Sequence, residues 1–97
     1  MSKITDSARG KECTIRIPGV CCWNPETTVH AHYRMAGLNG VAMKPDDIFG
    51  AYACFECHEA IDRRGHKDLD KDYVRLLHLE GVLRTQSQLK AAGLLRT

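Results

Sequence analysis

Cys54 and Cys57 form a Cys-x-x-Cys motif, which is the pattern in this chain with the most definite chemistry. Two thiolates at that spacing can grip one tetrahedral Zn²⁺ ion, with the second cysteine at the start of a helix. A four-sulfur site needs a second pair, and the N-terminal region offers Cys13 with either Cys21 or Cys22. Seven residues separate Cys13 from Cys21, more than the usual spacing, but a Pro-Gly turn between them can bring the two ends together. We therefore predict a structural zinc site made of Cys13, Cys21, Cys54 and Cys57.

Two other interpretations of the cysteines are free thiols buried in a small core and a redox-active pair, although no βαβ pattern surrounds the motif. The chain has five cysteines, and its first residues, MSKITDSARG, lack the apolar stretch of a signal peptide. We therefore expect a cytoplasmic protein, a setting in which clustered cysteines bind metal more often than they form disulfides. No apolar run approaches the roughly 20 residues that a membrane helix needs, so no membrane partner is expected.

His58 follows the second cysteine of the motif directly, and Asp62 stands four residues later on the same helix face. Such a pair is a partial site for Mg²⁺, Mn²⁺ or a transition metal. His32 ends a predicted strand that would pair with the strand leading into Cys54, which places it against His58. A neutral histidine at that position can take a proton from water while a metal on the helix polarises a phosphate. The spacing therefore predicts a site for metal-assisted hydrolysis.

Apolar patterning predicts the elements that must position these residues. Period-two alternation and β-branching indicate strands over 27–33 and 48–53, joined by a long loop over 35–47. A helix begins after Cys54, and a longer one runs over 71–91. The apolar stripe of that long helix is expected at Tyr73, Leu76, Leu77, Leu83 and Leu89.

The expected fold is α+β: a small zinc domain with a β-hairpin and helix, followed by a packing helix. A single domain over 1–97 comprises an N-terminal arm over 1–12, a zinc and ββα-metal core over 13–66, and a C-terminal helix over 68–93. A further short strand is expected over 14–17, where β-branched residues cluster.

Several single residues carry weaker expectations. Asp68 or Asp70 should cap the long helix. Tyr33 and Trp23 should pack around the hairpin, and His78 should lie on the face of the long helix without a role.

The composition limits the chain to one small domain. It has 97 residues, of which 43% are hydrophobic and 27% charged, so its core is small and a bound metal would add needed stability. The formal net charge of +2 is too mild to indicate a nucleic-acid partner by itself. Affinity for a polyanion must come from a local patch, and we expect Arg63, Arg64 and Lys67 to bind nucleic acid. An ordinary solvated face is the alternative interpretation.

Most of the chain resembles one known family. The segments RGKECTIRIPGVC, NPETTVHAHYRMAG, KPDD and ACFECHEAIDRRGH resemble the YbcO-type nucleases of lambdoid prophages, and the resemblance continues around EGVLRTQ. This family belongs to the HNH-like, treble-clef superfamily. The resemblance implies that His32 is the general base, that His58 is the metal ligand on the helix, and that Asp62 occupies the place of a second helix ligand.

Position 31 departs from the superfamily pattern. Many members carry Asp or His immediately before the base as a metal ligand, whereas this chain has Ala31. His30 or His66 could complete the metal shell instead.

The resemblance implies a metal-dependent endonuclease that hydrolyses phosphodiester bonds in DNA. It would use a structural Zn²⁺ and a catalytic Mg²⁺, Mn²⁺ or Zn²⁺, and a homodimer could address both strands. One alternative is a non-catalytic zinc module that binds nucleic acid or a phage recombination protein, which Ala31 would favour. A redox or metal-storage protein is a second alternative.

Overall fold

The computed structural model describes residues 3–35 and 47–94. Within them lie three helices and two strands, in the order α1 (Lys3–Ser7), β1 (Val29–His32), β2 (Gly50–Ala53), α2 (Phe55–Ile61) and α3 (Lys71–Ala91). Short 3₁₀ turns at Pro25–Thr27 and Asp47–Phe49 precede the two strands. The α+β class expected from the sequence is confirmed. Residues 36–46 of the predicted loop lie outside the described residues.

The two strands pair antiparallel, with Ala31 opposite Ala51 and His32 opposite Gly50. Ala31 is buried, while His30 and His32 alternate onto the other face of the strand and are half-buried. Every residue of β2 is buried, because α3 packs against this strand. The predicted hairpin is confirmed, with strands two or three residues shorter than expected.

The strand predicted over 14–17 is wrong. Thr14 does bind β2, since its backbone N–H donates to the carbonyl oxygen of Tyr52 at 2.8 Å. The extended run then stops, because Arg16 adopts a left-handed backbone with φ of 57°. Ile15 and Ile17 are fully buried on either side of Arg16, so the segment contributes to the core as an irregular chain.

A buried polar contact fastens that segment to both β2 and α3. The hydroxyl oxygens of Thr14 and Thr85 lie 2.9 Å apart, and the backbone N–H of Tyr52 donates to both at 3.1 Å. Gly81 lies one turn before Thr85 in α3, and a Cβ there would come within 2.8 Å of Ile15. The helix therefore needs a glycine at this position to approach the segment so closely.

The apolar stripe predicted for α3 is largely wrong. Leu89 is buried as expected and Leu77 packs against the core, but Tyr73, Leu76 and Leu83 are exposed. The face of α3 that packs against the sheet includes polar residues that form hydrogen bonds with the strand backbone. A pattern of apolar residues does not reveal them. The buried residues of α3 are Val74, His78, Gly81, Val82, Thr85 and Leu89.

Two smaller expectations have opposite outcomes. Asp70 caps α3, since its side chain accepts a hydrogen bond from the Tyr73 N–H at 2.9 Å. Tyr33 is buried as expected, whereas Trp23 is 58% exposed, with the Arg16 guanidinium 5.9 Å from its ring centroid. In the described ranges, no helix combines the length and the apolar character needed to span a membrane.

Candidate functional site

The structure brings together four of the cysteines. The sulfur atoms of Cys13, Cys21, Cys54 and Cys57 all lie within 4.8 Å of one another, and those of Cys21 and Cys54 are 3.7 Å apart. A tetrahedral ion with metal–sulfur bonds of about 2.3 Å needs sulfur atoms about 3.8 Å apart. The group can therefore hold a metal ion. Cys22 is exposed and lies outside it.

Local structure explains how distant cysteines converge. A turn at Pro18 and Gly19 reverses the chain, with Gly19 at a φ of 76° and the Cys21 N–H bonded to the Ile17 carbonyl oxygen at 2.9 Å. Cys54 directly follows the last residue of β2 and caps the N-terminus of α2. Its sulfur accepts a hydrogen bond from the Cys57 N–H at 3.4 Å. The start of α2 is thus fixed to the sulfur cluster.

Neighbouring sulfur atoms and burial displace the pKa values of three cysteines of the cluster. The hydrogen bond with the Cys57 thiol lowers the pKa of Cys13 to about 5, and the same contact raises the pKa of Cys57 far above its ordinary value. Burial raises the pKa of Cys21 to about 12. Like charges this close disfavour each other, so four thiolates can coexist only around a positive ion.

A second group of metal-ligating side chains lies on the polar face of β1. His32 Nε2 is 2.8 Å from Asp47 Oδ1, and the His30 and His32 rings pack edge-on with centroids 4.7 Å apart. One ligand atom from each of His30, His32 and Asp47 lies within 4.8 Å of the others, so this group can also hold a metal ion. We call it the strand trio.

Asp47 is the functional candidate that the sequence reasoning missed. It lies at the end of the loop expected over 35–47, where the sequence patterns predict no functional residue. The strand register contains the signal that could have found it: Gly50 pairs with His32, and Asp47 stands three residues before Gly50.

The helix pair expected from the sequence, His58 and Asp62, lies on α2 and at its end. His58 Nε2 is 3.5 Å from Asp62 Oδ2, and the same carboxylate oxygen accepts a hydrogen bond from Arg64 at 2.7 Å. Arg64 also contacts Glu59 at 3.0 Å. The basic charge of Arg64 is therefore offset by two neighbouring acids.

The two histidines of the strand trio and both members of the helix pair line one cavity of about 150 Å³. Its wall consists of His30, Ala31, His32, Arg34, His58, Ile61 and Asp62. The hairpin and α2 thus place the strand histidines and the helix pair around a common space. This is the juxtaposition that the spacing of His32 and His58 predicted.

A neighbouring cleft of about 190 Å³ shares His32 and Asp62 with this cavity and is rich in basic groups. Its basic lining residues are Arg34, Arg63, Lys71 and Arg75. The guanidinium of Arg63 is tied to the carbonyl oxygens of Lys67 and Leu69 at 2.9 and 3.1 Å. Of Arg63, Arg64 and Lys67, the residues expected to bind nucleic acid, Arg63 alone lines this cleft.

The remaining histidines are placed differently from expectation. His66 Nε2 is 2.8 Å from Glu56 Oε1 and does not line the cavity. His78 is buried, so the expectation that it occupies the helix face without a role is wrong. It bonds to the carbonyl oxygen of Ala31 at 3.1 Å, and burial lowers its pKa.

Position 31 also has a different meaning in the structure. Because side chains alternate along β1, Ala31 points into the core, and His30 shares the polar face with His32. Ala31 also belongs to the lining of the cavity, but its methyl group gives that cavity no ligand atom. His30 occupies the place from which a second strand ligand can reach it.

Comparison with known proteins gives a consistent result. A family model described as "Putative nuclease YbcO" matches residues 2–94. The chain is 50% identical over 86 residues to the protein of that name from Escherichia coli (strain K12), covering 89% of this chain and 88% of the relative. The same values hold for "Putative nuclease ybcO" of Enterobacteria phage 82. A solved structure described as a "putative bacteriophage protein" from Escherichia coli K-12 superposes with a TM-score of 0.78 at 45% identity, covering 92% of this chain and 98% of that one.

Proposed function

Since the chain belongs to the YbcO family, whose curated relatives carry the name "Putative nuclease", we propose that it is a metal-dependent endonuclease that hydrolyses phosphodiester bonds in DNA. The observation that carries the proposal is the cavity into which both the strand histidines and the His58–Asp62 pair project. Phosphodiester hydrolysis needs a general base for water and a positive charge near the phosphate, and the two sides of the cavity offer one each.

The assignment expected from the sequence makes His32 the base and gives the metal to His58 and Asp62. The hydrogen bond with Asp47 would hold the His32 ring in one orientation and one tautomer. A bound divalent ion would supply charge stabilisation at the phosphate. The activity requires only that one side hold the ion and the other take the proton, so it rests on the juxtaposition of the two sides.

We assign zinc to the four-cysteine cluster as a structural ion. The set of four sulfur ligands is closed, and structural zinc sites are four-coordinate. The cluster joins the N-terminal turn to the start of α2, where His58 follows Cys57 directly. Zinc would therefore stabilise the fold and also fix the helix that carries one side of the cavity.

The basic cleft beside the cavity is the proposed path of the DNA backbone. Arg34, Lys71 and Arg75 surround it together with Arg63. Positive side chains grouped beside a hydrolytic site bind the phosphates that flank the scissile bond and give affinity that depends on salt. Ala31 supplies no ligand atom, but His30 lines the same cavity and can supply one, so the missing acid at position 31 does not by itself favour a non-catalytic module.

A cleavage assay tests this function directly. Zinc-loaded protein is incubated with supercoiled and linear DNA and with Mg²⁺, Mn²⁺, Ni²⁺ or Zn²⁺, and nicked or cut products are quantified. We expect cleavage that drops by at least about a hundredfold in His32→Ala and in His58→Ala. His66→Ala is the matched control, since His66 does not line the cavity. Absence of cleavage with every metal and every DNA form would refute the proposal.

A further inference from the structure

The strand trio presents a complete and compact set of ligand atoms. Two imidazoles and one carboxylate lie within 4.8 Å of one another. The 2.8 Å between His32 Nε2 and Asp47 Oδ1 is close to the roughly 3.0 Å that separates adjacent ligands of a six-coordinate ion with bonds of about 2.1 Å. Two histidines and one carboxylate suit divalent transition metals and leave coordination positions open for water or substrate.

The backbone of β2 is shaped around one member of the trio. A Cβ atom at Gly50 would overlap the imidazole ring of His30. Both ring nitrogens of His30 are inaccessible to solvent, and the ring packs edge-on against His32. Gly50 therefore provides the space in which the His30 ring is held beside His32, and the ligand set is preorganised.

The helix pair lacks these properties. It offers two ligand atoms, and the Asp62 oxygen nearest to His58 already bonds to Arg64. A dication placed there would be repelled by the guanidinium. The His58 and Asp62 side chains are 32% and 40% exposed, against 13% and 24% for His32 and Asp47.

We propose that His30, His32 and Asp47 together bind the divalent ion, at the side of the cavity that the two histidines line. His58, with Asp62 beside it, then serves as the general base. This inference rests on the proposed nuclease function and reverses the roles that the sequence suggested for the two sides.

The chemical step balances with these groups. A water molecule loses a proton to the His58 ring as its oxygen forms a bond to phosphorus. The phosphorus–oxygen bond to the leaving group breaks, and the departing oxygen takes a proton from solvent. Asp62 stabilises the imidazolium that results.

Metal binding can be measured without any cleavage. Full-length protein with zinc in the cysteine cluster is titrated with Co²⁺, with calorimetry for affinity, absorption spectra for ligand type and elemental analysis for stoichiometry. We expect one zinc and one exchangeable Co²⁺ per chain, the latter without sulfur charge-transfer bands. His30→Ala and Asp47→Asn should weaken Co²⁺ binding by more than about tenfold, whereas His58→Ala should leave its affinity unchanged.

Two observations keep the test decisive. Asp47→Asn preserves size and lies in a half-exposed turn, so it reports on the site even if His30→Ala unfolds. His66→Ala controls for the loss of a histidine elsewhere, and thermal unfolding checks each variant. If His58→Ala loses Co²⁺ and the trio variants keep it, or if no second ion binds, the inference is wrong.

Failure of this inference can be told apart from failure of the proposed function. If the protein cleaves DNA but Co²⁺ binding depends on His58 and not on the strand trio, only the assignment of roles is overturned. An ion bound to the trio without cleavage of any DNA would leave the metal site standing and overturn the nuclease.

Discussion

His78 in α3 donates a hydrogen bond from Nε2 to the carbonyl oxygen of Ala31, 3.1 Å away. The carbonyl oxygen has no proton to give, so the bonded nitrogen must carry one. This contact fixes the backbone of β1 between the two histidines that face the cavity. The long helix therefore supports the geometry of the site as well as the core.

The buried position of His78 predicts a pH-dependent stability. Burial lowers its pKa, so the folded protein keeps the ring neutral, while the unfolded chain takes up a proton near pH 6.5. As the pH falls through that value, only the unfolded state gains the proton, and the free energy of unfolding decreases. The neutral variant His78→Gln should lose less stability between about pH 7.5 and 5.5 than the wild type.

Urea unfolding at several pH values measures this difference. Protonation of the cysteine cluster affects both proteins alike, so the comparison isolates His78. His66→Gln is the control, because His66 is partly exposed. Parallel curves for wild type and His78→Gln would show that His78 does not titrate as argued.

Substitution of Gly50 by alanine should disturb the metal site of the strand trio more than the stability of the fold. The added methyl of Gly50→Ala meets the His30 ring, a side chain that can swing away. We expect a loss of exchangeable metal and of at least about tenfold in cleavage, with the zinc content retained. Gly65→Ala is the control, since a Cβ there meets only Glu59 at an ordinary 3.6 Å. Equal losses in both variants would contradict this role for Gly50.

Serine substitutions at the adjacent residues Cys21 and Cys22 should have different effects on zinc binding and stability. Cys21→Ser should lose zinc and several kcal/mol of stability, because metal binding is coupled to folding. Cys22→Ser should keep both, since Cys22 is exposed and its sulfur contacts the Thr27 hydroxyl oxygen at 3.6 Å. Zinc content and thermal unfolding measure the two variants together. Loss of zinc in Cys22→Ser alone would mean that the ligand set is wrong.

The sequence predicted best where spacing along one element decides the geometry. The Cys-x-x-Cys motif, the His58–Asp62 pair and the hairpin all follow from local periodicity, and the structure contains them. The choice between Cys21 and Cys22 depends on the direction of the backbone after the turn at Pro18 and Gly19. The sequence alone does not determine that direction.

Side chains that bond across elements could not be predicted in this way. Asp47 reaches His32 only through the register of two strands, and His78 and Thr85 are buried because β1 and β2 offer them backbone partners. Apolar patterning ranks these polar residues as exposed. It also ranks Leu83 as buried, although that residue is 61% exposed.

The basic cleft predicts which residues bind DNA. Arg34→Ala and Lys71→Ala should each weaken binding to all sequences alike and reduce the slope of log affinity against log salt by about 1, because both residues line the cleft beside the cavity. Arg64→Ala is the matched control: its guanidinium is paired with Asp62 and Glu59, so its removal should change the slope little. Fluorescence anisotropy with a labelled duplex, over a series of salt concentrations and without divalent metal, measures the slopes. If Arg64→Ala flattens the slope as much as Lys71→Ala does, the phosphate path runs over the end of α2 and not through the cleft.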